Sequence, residues 1–177
     1  MIHDGWRILP LAALAVAPTY AAEYMTVEAA QRVAFPDASA FVPVAFTPTA
    51  DMRARLAEIA QPPGARDPRI WRAMSGGKWL GTFYADAVIG KQEYISYALA
   101  LDAAGRVLRL DVLEYRETHG GEIRNERWRA QFAGKSVADP VEVSRDIANI
   151  SGATLSCRHV TDGVRRLLAL NVLLPSP

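Results

Sequence analysis

This sequence is short of the residues from which many small sites are built. It has one cysteine, Cys157, in 177 residues. A lone cysteine closes no disulfide within the chain, and a chain of this length buries enough surface to fold without one. No Cys-x-x-Cys-His offers a haem attachment, and no Cys/His cluster has zinc spacing. The three histidines, His3, His119 and His159, are too few for a His-rich metal site, so no metal is expected. Charge of one sign is also missing: 20 basic residues meet 19 acidic ones, a net +1. No basic stripe carries interleaved aromatics, which sets nucleic acid aside as a partner. There is no Gly-Lys-Ser/Thr ending of a phosphate loop. No Ser-His-Asp set or paired-carboxylate layout argues for hydrolysis. No apolar run reaches the ~20 residues that cross a bilayer.

What is present is a globular composition, 50% hydrophobic and 22% charged, of a size for one domain. The N-terminus, "MIHDGWRILPLAALAVAPTYAAEYM", has a short polar start with Arg7, an apolar run over residues 8–17, Pro18, and small residues at Ala21 and Ala22. That is the shape of a secretory signal peptide over residues 1–22, with cleavage near Ala21 or Ala22. A buried N-terminal helix is the alternative, and Pro10 and Pro18 interrupt it. The expected location is the periplasm or cell envelope, with the segment cleaved or kept as an anchor.

Residues 23–68 read as a helical segment that forms one globular unit with a domain over 69–174. Thr26 caps a first helix that Pro36 ends. Thr49 or Asp51 caps a second, with Met52, Leu56 and Ile59 as its apolar face. From Arg69 the period changes to two. "KWLGTFYADAV", "KQEYISYALALD" and "RVLRLDVLEYRE" are successive strands. Ile95, Tyr97, Leu99 and Leu101 share one face, and Leu108, Leu110 and Val112 share another. Residues 102–105 make a hairpin loop with Gly105 where positive φ is needed. Ile123, Trp128 and Phe132 suit a short helix ended by Gly134. "DPVEVSRDIANI" is a connector with room for one more short strand. The last helix carries Val160, Val164, Leu167 and Leu168 at helical spacing. The fold class is therefore α+β, an antiparallel meander with flanking helices.

The last helix opens oddly. Ser151, Gly152, Ala153 and Thr154 are all small, two carry hydroxyls, and Ser156 follows. Free N–H groups and the helix dipole favour an anion at such a start, and hydroxyls add donors. The plainer alternative is an ordinary N-cap. The residues alone favour the cap and leave both open.

"DIANISGATLS" resembles the flavinylation motif of the FMN-binding domain family. That family includes the C subunit of the sodium-pumping NADH:quinone reductase, the G subunit of the Rnf complex and small exported proteins. The resemblance implies that Thr154 forms a phosphoester with FMN, installed by a flavin transferase that uses FAD, and that Asp146 is the motif's upstream acid. Ser151, Gly152, Ala153 and Ser156 would border the cofactor. Residues 86–91 and "YISYALALDAAGRVLRLDVLEYRETHG" look like the family's central strands. Glu117, Thr118, His119 and Gly120 resemble its Glu-Thr-Pro-Gly turn near the flavin, with His119 in place of proline. "WRAQFAGK" resembles its segment ending in Gly-Lys, which implies that Lys135 lies near the site. Lys91 is a weaker candidate of the same kind. The resemblance covers residues 79–170.

Two departures stand out. His119 alters the turn, and Cys157 stands where a small residue is common. Cys157 reads as a small helix residue more readily than as a reactive thiol, and His159 as a helix-surface residue more readily than a flavin contact. The expected function is a periplasmic electron carrier with covalent FMN rather than a stand-alone enzyme, working with membrane or periplasmic redox partners. Two other readings stay open: an envelope binding module without flavin, and a flavin reductase with its own substrate.

Overall fold

The alternating residues from Arg69 onward form four long strands of an antiparallel meander: β3 Arg69–Ser75, β4 Lys78–Ile89, β5 Tyr94–Asp102 and β6 Val107–Tyr115. The computed structural model describes residues 22–117 and 120–175, so nearly all of the expected signal segment, together with Thr118 and His119, lies outside the described residues. Two short strands extend the meander. Strand β1, Ala22–Glu23, pairs with β6, and β2, Ala40–Pro43, pairs with β3. The six-stranded order is β1-β6-β5-β4-β3-β2. Neither short strand is long enough for alternation to be read, and Pro43 is tolerated because β2 is an edge. The 23–68 segment thus supplies a strand as well as its helices.

Helices cover both faces of the sheet. On one side Ile95, Tyr97, Leu99 and Leu101 meet Val160, Val164, Leu167 and Leu168 of α4, Thr154–Leu173. On the other, Phe83, Ala85, Ala98, Ala100 and Leu113 pack with Ala30 of α1, Val27–Ala34, and with Phe35. The Thr26 side chain caps α1 through Ala29 N, and Thr49, not Asp51, caps α2, Ala50–Ile59, through Met52 N.

Three sequence expectations need correction. Leu108 is 43% exposed rather than on the buried face with Leu110 and Val112. A bulge between Ala100 and Leu101 pairs Leu101 with Val107 and skips Leu108, so the alternation slips by one residue there. On α2 only Leu56 is buried, and Ile59 is 41% exposed, because this helix touches its neighbours along a narrow stripe. Ile123, Trp128 and Phe132 do pack together, but not on one helix. A 3-10 turn, Gly121–Arg124, precedes α3, Glu126–Ala130, and between them the Asn125 side chain accepts from Arg127 N at 2.9 Å. The connector holds no strand beyond a single bridge between Val143 and Ile147.

What fixes α4, and therefore its first residue, is a close approach at its middle. A Cβ on Gly163 would stand 2.3 Å from the Tyr97 hydroxyl. That hydroxyl donates to Asp86 Oδ2 at 2.8 Å, and Arg166 donates to Asp86 Oδ2 at 3.5 Å and to the Arg66 carbonyl at 2.8 Å. Burial pushes both the Asp86 carboxyl and the Tyr97 phenol above their ordinary values. Polar groups buried this deeply require defined partners, so the network pins the helix along its axis. Among the described residues no helix is long and apolar enough to cross a membrane.

Candidate functional site

The start of α4 decides between the two readings of its small residues. The N-cap position is Ala153, and no side chain caps the helix. The N-cap reading therefore fails, and the first N–H groups are left without the side-chain partner that a cap provides. Gly152 has φ +84°, a left-handed conformation that favours glycine. Ala153 is buried in the main core, whereas Thr154 is exposed. One small residue anchors the stretch, and the next presents a hydroxyl.

Thr154 borders a cleft of about 490 Å³. Gly152, Ala153, Thr154, Leu155 and Ser156 form one wall, and Lys91, Gln92 and Glu117 form the other. An adjoining cleft of about 460 Å³ shares Glu117 and Gly152 and reaches Tyr24, Tyr115, Gly120 and Arg124. Gly120 has φ +85°, and a Cβ there would lie 2.7 Å from the Tyr115 hydroxyl and 3.3 Å from Ala153 Cα. Only glycine lets this turn lie against the tetrad.

Among the described residues, each expected site residue has a definite place. Ser156 is turned inward, with its hydroxyl 3.2 Å from that of Tyr115. Burial raises the Tyr115 phenol. Glu117 Oε1 accepts the backbone N–H groups of Lys91, Gln92 and Glu93, the last two at 2.6 and 3.0 Å. Burial pushes the Glu117 carboxyl up, but these three donors outweigh it and hold it below its ordinary value. Ser151 is exposed beside the cleft rather than among its lining residues.

Asp146 and Lys135 pair with each other. Lys135 Nζ lies 2.8 Å from Asp146 Oδ2, and the same carboxylate takes Val141 N at 3.2 Å and Glu142 N at 2.8 Å. Burial opposes these contacts, yet the carboxyl is held below its ordinary value. The loop it staples includes two non-glycine residues at positive φ, Val141 at 46° and Ser144 at 68°. Neither Asp146 nor Lys135 lines the two clefts.

Cys157 is fully buried in the main core, and burial pushes its thiol up, away from the thiolate that reactivity requires. His159 Nδ1 lies 2.8 Å from the Ile89 carbonyl oxygen and 2.9 Å from that of Gly90. One residue that no spacing rule singles out joins the site: Asn149 Nδ2 donates to Thr154 Oγ1 at 3.1 Å.

Residues 90–169 match the model of the FMN-binding domain family, a span that contains every residue lining the cleft at Thr154. The chain is similar to the G subunit of the ion-translocating oxidoreductase complex of Cereibacter sphaeroides, with 34% identity over 134 residues, 70% of this chain and 59% of that protein. It is also similar to the protein of the same name from Stutzerimonas stutzeri, with 30% identity over 110 residues, 56% of this chain and 48% of that one. The chain thus spans about half the length of these relatives.

Proposed function

Residues 90–169 belong to the FMN-binding domain family, and on that premise we propose that the protein is a periplasmic electron carrier that holds FMN through a phosphoester at Thr154. The observation that carries this reading is the split within the tetrad. Ala153 is buried, while Thr154 offers its hydroxyl to a cleft at an uncapped helix start. An uncapped start suits a phosphate, and the cleft volume lies within the range of small-molecule sites. The residues present therefore fit the group. Thr154 and the N–H groups around it would hold the phosphate end, and Lys91, Glu117 and the glycine turn at Gly120 would border the rest.

FMN itself supplies the electron transfer, and the protein supplies position, access and charge. Attachment forms a bond between Thr154 Oγ1 and the FMN phosphorus of FAD. The phosphoanhydride bond breaks, AMP leaves, and the hydroxyl proton passes to solvent. A flavin transferase is the partner for that step. Both relatives carry the name of an ion-translocating oxidoreductase complex, which supports a membrane oxidoreductase as electron donor for this chain. A covalent tether keeps the cofactor from diffusing away in an exported protein.

The test is intact mass after co-expression with a flavin transferase. Wild type gains one FMN-phosphoryl group and stays yellow after denaturation, and Thr154→Ala gains nothing. An unchanged wild-type mass, or an equal gain in the variant, overturns the proposal.

A further inference from the structure

The cleft wall opposite Thr154 is a turn, residues 90–93, held by groups remote in sequence. Within the turn, Gly90 N donates to the Glu93 carbonyl at 2.9 Å. The next three N–H groups all point to Glu117 Oε1, just past the end of β6. A Cβ on Gly90 would lie 2.7 Å from that oxygen, so the carboxylate sits directly against the backbone. On the carbonyl side, His159 Nδ1 faces the oxygens of both Ile89 and Gly90. Carbonyl oxygens only accept, so Nδ1 carries the proton. The turn is therefore bolted to the same two elements that carry Gly120 and Thr154.

This arrangement places one cation on the cleft, beside a carboxylate whose hydrogen bonds go to the backbone. Lys91 and Glu117 are the charged residues that line the cleft. The Glu117 carboxylate is committed to three consecutive amides, a backbone nest filled from within the chain. Lys91 is exposed beside it, on the cleft.

We propose that Lys91 is the cofactor-facing cation of this cleft, stabilising negative charge on the bound flavin nucleotide, and that Glu117 and His159 are positioning residues that hold its turn; this rests on the FMN reading above. A nearby cation favours the reduced flavin, which carries more negative charge, and so raises the reduction potential. Because Lys91 is exposed, salt weakens the effect.

The experiment uses the full chain. Reduction potentials are measured on flavin-loaded wild type, Lys91→Ala, Lys91→Arg, Glu117→Ala and His159→Ala at low and high salt. Amide exchange is followed at residues 91–93 in the unloaded protein. In Lys91→Ala the reduced-to-oxidised ratio at fixed ambient potential falls about threefold at low salt, ~15 mV for a two-electron couple, and falls less at high salt. Lys91→Arg restores it. Glu117→Ala speeds exchange of the three amides at least tenfold, Glu117→Gln retains most of the protection, and His159→Ala, which leaves both cleft charges in place, shifts the potential as Lys91→Ala does but by less. A wild-type potential in Lys91→Ala at low salt overturns the role of Lys91. Unchanged exchange in Glu117→Ala, or an unshifted potential in His159→Ala, overturns that residue's positioning role. A wild-type chain whose mass shows no flavin overturns the FMN reading itself, and with it this one.

Discussion

Strand β5 has a turn at each end, and the two are built differently. The turn at residues 102–106 closes on itself. Asp102 Oδ1 accepts Ala104 N at 2.9 Å and Arg106 N at 2.8 Å, Gly105 N donates to the Asp102 carbonyl at 3.0 Å, and Gly105 supplies φ +75°. The turn at residues 90–93 takes its acceptor from Glu117, 24 to 26 residues away, and its donor from His159, 69 or 70 residues away. The first draws the partners of its turn amides from its own five residues, with one further contact from the Arg106 side chain to the Gly134 carbonyl, and its residues do not line the cleft. The second borders the cleft and is held by the elements that form the rest of it. A loop fixed by a scaffold in this way is held for what it presents.

Glu117→Ala is the strongest way to break that contrast. Three N–H groups lose a charged acceptor together. Hydrogen bonds to charged groups are each worth roughly 1.5–3 kcal/mol, but these share one partly exposed oxygen and the freed amides regain water, so the expected loss is about 2 kcal/mol in all. Denaturant unfolding measures it as a lower midpoint with an unchanged slope. A loss below ~0.5 kcal/mol means that the turn holds itself as its counterpart does, and the distinction falls.

Asp102→Ala sharpens the contrast from the other side. It removes a charged acceptor from two backbone donors in an exposed turn, where the freed amides regain water, for an expected loss of about 1 kcal/mol. It leaves the rate of flavin attachment, followed by intact mass, at the wild-type value. A slower attachment in this variant means that the two ends of β5 are coupled through the sheet.

The same contrast explains what could be read in the sequence. The residue 102–105 turn was legible because Asp and Gly carry their roles locally. The meander and the buried face of α4 were legible because periods of two and 3.6 survive over long elements. Leu108 was misplaced because a bulge shifts the period without leaving a mark in composition. Strands of two and four residues carry no period to read. In the site, Gly152, Ala153 and Thr154 were legible as small residues at a helix start, although only the fold separates the buried Ala153 from the exposed Thr154. Glu117 and Gly120 were expected near the cofactor from the family resemblance. The three amides that Glu117 binds, the carbonyls that His159 meets and the Asn149 contact to Thr154 all depend on tertiary placement. So does the pairing of Lys135 with Asp146, which takes two expected cofactor neighbours out of the cleft lining.

The smallest effect tests whether charge matters in the remote turn. The Glu117 carboxyl is depressed in the folded protein: burial raises it, and the three backbone donors outweigh burial. A depressed carboxyl stabilises the fold above its unfolded value, about 4.3 for glutamate, and that contribution is lost as pH falls through the folded value. Glu117→Gln keeps an acceptor oxygen but cannot titrate. Wild type should therefore exceed Glu117→Gln in stability near pH 7, by less than about 1 kcal/mol given the partial exposure of the group. The gap should close as pH falls from ~5 to ~3. Asp146, also depressed, is present in both proteins and cancels in the difference. Unfolding free energies of the two proteins, measured side by side across that range, give the curve. A gap that stays constant with pH would show that Glu117 holds the turn by shape and hydrogen bonding alone, and that the nest does not require a charge.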